Sequence, residues 1–275
     1  MKENTNITEE TTGSIHQIYD KTMKKILTAV ALSLSLHINA QEVATQLALG
    51  GSDYLDTYLS PEKYRGFEGR FISEVLRDSR KLPVSYSLTH EGMIATTDNR
   101  AGTASELSGS YDFAYSMMYR TSLLDGKLRL LLGGMVNYNL GFTYNTRNSS
   151  NNPAQGYMSL GIGPNVMLRY DLPLWGKTFL INWEARMPFV GLMFSPNYGQ
   201  SYYEIFNSGD DDHNVVFTSL AVPQLRHHLS VDVPLTERCA LRVGYLGDYR
   251  QAKPNNLRQH HYYNAATIGI VIKKK

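Results

Sequence analysis

No run of about 18 consecutive apolar residues occurs in this chain, so a spanning helix has nowhere to sit. A single cysteine, Cys239, excludes an intrachain disulfide framework. An excess of one charge sign is also missing. The formal net charge is +2, which gives no electrostatic case for a nucleic-acid partner. Tryptophan is scarce, with two residues, whereas tyrosine is abundant: 19 against 9 phenylalanines. The 42% hydrophobic content is that of a folded chain, and 275 residues suffice for one large domain or two ordinary ones. The chain shows no internal repeat and no shift of composition that would mark a second domain.

The N-terminal region reads as an export signal. Met23-Lys24-Lys25 precedes the apolar stretch ILTAVALSLSL, residues 26–36, and the small residue Ala40 offers a cleavage site before Gln41. Basic flank, short apolar core and small exit residue together define a signal peptide over 23–40. Residues 1–22 are polar and patternless, and read as a non-structural leader upstream of the true start. The domain expected to fold is then 41–275.

Within it the dominant pattern has a period of two. Residues 127–146, KLRLLLGGMVNYNLGFTYNT, place Leu128, Leu130, Leu132, Val136, Tyr138, Leu140, Phe142 and Tyr144 on one face. The other face carries Arg129, Gly133, Asn137, Asn139, Gly141, Thr143 and Asn145. Residues 106–123 and 157–172 repeat the arrangement, and shorter stretches do so around Tyr86, Ile181, Val231, Val243 and Ile270. Alternation of this kind is the signature of strands, and the interior glycines would weaken a helix. Several of these segments alternate for far longer than the five or six residues of an average globular strand. Crossing a bilayer takes about 9–11 tilted residues.

The connections alternate as well. Those around 124–126, 173–176 and 236–238 are short turns, whereas 145–155, 195–224 and 251–260 are long and polar. Short turns at one end and long loops at the other fit an outer-membrane barrel. Strands are expected near 42–51, 64–77, 83–95, 104–123, 127–145, 156–172, 177–195, 224–235, 239–251 and 259–272. A hairpin through 202–206 and 215–220 would extend the seventh and eighth. The predicted fold is all-β: a closed antiparallel up-and-down transmembrane β-barrel of about ten strands, with eight or twelve as alternatives. Its greasy face meets lipid. Tyr111, Tyr119, Tyr138, Tyr144, Tyr170, Trp183 and Tyr245 become candidates for an aromatic girdle, because their rings carry one apolar side and one polar tip. A secreted lipocalin-like barrel would also alternate, but would turn its apolar face inward and use shorter strands.

On these grounds the chain resembles the small outer-membrane β-barrel proteins of Gram-negative bacteria, among them families without an assigned function. The resemblance covers about residues 41–275. It rests on the signal ending INA-Q, the alternating strands, the last strand AATIGIVI and the segment LDTYLSPEKYRG. It implies an outer-membrane location, lipid and lipopolysaccharide around the barrel, and handling by the barrel assembly machinery. One departure is the C-terminus: many such barrels end on an aromatic residue, and this chain ends Ile272-Lys273-Lys274-Lys275.

Charges of both signs fall on the face opposite the lipid: Glu68, Arg70, Glu106, Asp112, Arg120, Arg129, Arg169, Asp171, Glu184, Arg186, Arg226, Asp232 and Arg242, with Glu74, Asp248 and Arg250 beside them. Charges inside a narrow barrel are expected to pair, because a single buried charge is costly. A filled lumen makes the chain a non-enzymatic structural or loop-binding envelope protein. A narrow porin-like channel for small solutes is the alternative, and an extracellular ligand at the long loops fits either. His227-His228 and His260-His261 are adjacent strand residues that point to opposite faces, so neither pair chelates one metal ion. One cluster looks catalytic. Asp211 and His213 match the Asp-x-His pair of omptin proteases, which are ten-stranded barrels, and a carboxylate can orient an imidazole that activates water. That site also needs paired aspartates on an earlier loop, where this chain offers Asp98 alone. No cofactor and no metal site is expected.

Overall fold

The computed structural model of the chain describes residues 41–274 apart from 147–152, 208, 210–212 and 219–223. The expected signal segment 23–40 and the expected leader 1–22 lie outside the described residues.

Alternation does produce strands, and the strands are long. They are β1 (Glu42–Asp56), β2 (Tyr64–Asp78), β3 (Val84–Asn99), β4 (Ser105–Leu123), β5 (Leu128–Asn145), β6 (Ala154–Leu174), β7 (Lys177–Arg186), β8 (Val190–Phe194), β9 (Val215–Thr218), β10 (Leu225–Pro234), β11 (Cys239–Ala252) and β12 (Gln259–Lys273). All neighbours pair antiparallel. The order runs β1 to β7, then β10, β11 and β12, and β12 returns to β1 from Glu42↔Lys273 to Asp56↔Gln259. Ten strands therefore close a barrel, and β8 and β9 add two short strands beyond it, with β8 on the upper part of β6.

The outward face is the apolar one. Leu132, Val136, Leu140, Phe142 and Tyr144 of β5 are exposed, and Met135 and Thr143 between them are buried. Leu47, Leu49, Phe67, Phe71, Ile94, Ile268 and Ile270 continue this exposed surface around the barrel. Inside lie Gln46, Glu68, Arg70, Glu91, Arg242 and Asp248, all buried. Such an inside-out arrangement suits a hydrocarbon surround and no aqueous one.

Two details depart from the strand reading. The expected single strand over 177–195 is interrupted at Pro188. Proline brings no amide hydrogen to the ladder, and the flanking amides of Met187 and Phe189 bond instead to Pro164 and Ile162. The expected hairpin arm at 202–206 is a helix, α1 (Tyr202–Asn207). A reciprocal cap starts it: the Glu204 amide donates to Ser201 Oγ at 3.2 Å, and the Ser201 amide donates to Glu204 Oε2 at 2.6 Å. This Ser-x-x-Glu pair satisfies amides that a short strand would leave open. The other arm does contain a strand, β9.

The β1–β12 seam is tight. Gly50 faces inward against Ala265, and a side-chain carbon there would collide with the Asn264 carbonyl oxygen. Gly50→Val is expected to destabilise the barrel by about 1–3 kcal/mol or more. On a gel of unboiled outer membranes, most of the heat-shifted band of the parent should be lost.

Candidate functional site

The lumen is layered. Toward the short turns, the β1 carboxylate Glu42 accepts from Arg169 of β6 at 2.5 Å and from Arg242 of β11 at 3.1 Å. Arg242 also makes two bonds to Asp232 of β10, at 2.6 and 2.9 Å. Arg120 pairs with Asp78 and Arg129 with Asp171 near the rim of this end. Close by, Leu76, Met118, Leu131 and Met167 are buried against one another on β2, β4, β5 and β6.

Beyond these residues lies an ion-pair cluster. Arg70 reaches Glu68 at 2.6 Å, Glu91 at 2.5 Å and Asp248 at 2.6 Å, and its side chain is 1% exposed. The Tyr263 ring lies under the same guanidinium, 4.1 Å away. Arg226 joins through Glu91 at 2.8 Å, and Arg250 through Asp248 at 2.7 Å and Asp112 at 2.9 Å. Arg186 holds Glu184 at 2.8 Å and donates to Thr89 at 2.6 Å. Buried charge is tolerated in such a setting because each ion has several partners.

On the loop side of this cluster the lumen widens into a cavity of about 130 Å³, lined by Tyr54, Ser108, Ser110, Asn137, Thr143 and Tyr157 among others. Arg250 lines both it and a second cavity of about 40 Å³ that reaches Glu91 and Arg226. Both are large enough for water.

The rim above carries a hydrogen-bond network. Asp56 accepts from Tyr157 at 2.8 Å, and Asn145 donates to Glu106 and to Tyr64, each at 2.9 Å. Outward-facing Asp53, paired with Arg65, and Asp98, bonded to Ser105, mark the polar edge at this level. Burial raises the Asp56 carboxyl to about 6, against hydrogen bonds from Tyr157 and Tyr58 that favour its ionised form. Burial likewise raises Glu106 to about 7, with the Asp56 charge adding to the effect.

Every charged residue assigned to the lumen from the sequence stands on the inward face. Glu106 is set apart at the rim; the others lie in the two ionic layers or beside them. Glu42, Glu91 and His261 were missed, although parity with Ser85, Ser87 and Thr89 places Glu91 inside. The histidine pairs do split: His228 faces in beside Thr267 and His227 faces out beside Tyr245, while His261 reaches Glu68 and His260 reaches Asp53. The seven girdle aromatics all face outward, with Tyr111 accepting or donating a 2.6 Å bond with His90. Asp211 lies outside the described residues. His213 sits in a left-handed loop conformation, its carbonyl held by Asn255, and Asp98 is turned outward onto Ser105.

The chain belongs to the family described as "Protein of unknown function (DUF3316)", which it matches over residues 26–274. No curated protein matches it in sequence. Among solved structures it is similar to the outer membrane protease OmpT from Escherichia coli, at 9% identity and a TM-score of 0.50, covering 86% of this chain and 97% of that one. The translocator domain of the autotransporter NalP from Neisseria meningitidis follows, at 10% identity, a TM-score of 0.42, and 93% and 96% coverage. At these identities the likeness concerns the barrel fold.

Two outcomes follow from the geometry. Arg70→Met leaves three buried carboxylates without their shared cation and is expected to cost about 3–5 kcal/mol, read as a lower denaturation midpoint in detergent. The rim should respond to pH. In the unfolded chain these carboxyls titrate near 4, so the stability they contribute is fully present below about pH 4 and is lost as pH rises through about 6 to 7. The denaturation midpoint should therefore fall between about pH 5 and pH 8, and Glu106→Gln should flatten the change.

Proposed function

We propose that this chain is a non-enzymatic protein of the bacterial outer membrane, acting as a closed structural barrel that presents its loops outside the cell. The exposed apolar surface, the ten-strand closure and the fold shared with outer-membrane barrels support the location. The observation that carries the rest is the occlusion of the lumen. Met118, Leu131, Met167 and Leu76 are buried against one another, and the Arg70 cluster stands beyond them. On this reading an ion passing through would meet both, and moving either aside would break buried contacts. The cavity on the loop side is consequently a blind vestibule, open to solutes at one end.

Refolded protein in a planar bilayer should give no stable conductance steps, whereas replacing Met118, Leu131 and Met167 together by glycine should introduce them. Stable steps from the parent protein would sink the closed-barrel reading and favour a narrow channel.

A further inference from the structure

The four short turns share a design. The β2–β3 turn exposes Leu82 beside Lys81, and the β4–β5 turn exposes Leu124 near Lys127. The β6–β7 turn exposes Trp175 near Lys177, and the β10–β11 turn exposes Leu235 near Arg238. Each turn thus couples an apolar tip to at least one exposed cation within three residues, the β2–β3 turn carrying Arg80 as well. The exposed carboxylates of these turns are Asp125 and Glu237.

Two of the tips are held out against local preference. Trp175 and Gly176 both have positive φ, 50° and 71°, in a two-residue hairpin turn. The first such position favours Asn, Asp or Gly, because a large side chain crowds the backbone there. Leu124 at φ 53° breaks the same preference. Trp175 is nevertheless 85% exposed. It does have one neighbour, the ring of Phe179 at 6.2 Å, edge to face. Phe179 belongs to the outward series Phe179, Ile181, Trp183, so the tip leans over the apolar surface of the barrel and continues it.

Apolar tips at one end of the barrel, one of them continuous with the apolar belt and each flanked by a cation, match the chemistry of a lipid interface. An indole settles at headgroup depth, and Lys or Arg beside it attracts acidic headgroups. We propose that the short-turn end is a binding ring for anionic phospholipids of the leaflet it enters, with the tips inserted and the cations on the lipid phosphates. The inference rests on the barrel spanning a membrane as argued above.

Trp175 itself reports the result, because the chain has two tryptophans and Trp183→Phe leaves one. That variant is refolded into vesicles of phosphatidylcholine containing about 20 mol % phosphatidylglycerol, with bromine on the acyl chains of one lipid or the other. The expected result is that brominated phosphatidylglycerol quenches Trp175 at least about twofold more than its abundance predicts. Adding Lys127→Glu and Lys177→Glu should return quenching to the proportional level. Quenching in simple proportion to abundance in the parent would overturn the selectivity for anionic lipid. No quenching by either lipid, in protein that still shifts on heating, would overturn lipid insertion and assign the tips to a periplasmic partner. Protein that shows no heat shift in either vesicle would overturn the membrane-spanning reading and this proposal with it.

Discussion

The rest of the structure depends on the saturation of backbone hydrogen bonds. In hydrocarbon no water is available to an open strand edge, so strands can cross only if the last pairs with the first. Here β1 and β12 pair along their full lengths, and the Lys274 amide adds a bond to the Gln41 carbonyl at 2.8 Å. Closure is what allows the greasy side chains to stand outside. A sheet with free edges would have to fold its apolar face inward.

Once the wall is closed, the lumen becomes a small space in which charge must be self-sufficient. The arginines meet this by sharing carboxylates between strands far apart in sequence: Arg70 and Asp248, Arg169 and Glu42, Arg226 and Glu91. These pairs also constrain register. A slip of one residue would send every inward charge to the lipid side and every outward leucine into the lumen, so the correct pairing is strongly specified. The network inside the lumen thereby also fixes the wall.

The wall was the legible part. Side-chain period in a strand is set locally, so inward and outward sets could be assigned one segment at a time, and strand limits such as those of β2, β4, β5 and β11 fell within a residue or so of the expected ones. The first strand runs on to Asp56 where 42–51 was expected, because Ser52 and Asp53 show little strand preference until β12 supplies partners for them. At α1 a local device won: the Ser201–Glu204 cap overrode an alternation only a few residues long. Glu91 was missed because Thr89-His90-Glu91-Gly92 breaks the apolar pattern on the outward side, although the inward parity runs through it unchanged.

By itself, then, the sequence pointed to about ten strands, the face most strand residues take, the end of the barrel that carries the long loops, and most of the inward charges. All of these follow from a period of two and from turn chemistry, which act within a few residues. Only the tertiary structure decided which charges meet and where the buried apolar cluster falls. Those outcomes depend on strand stagger and tilt around a closed ring, which sets side chains a hundred or more residues apart, such as Arg70 and Asp248, at one level of the lumen.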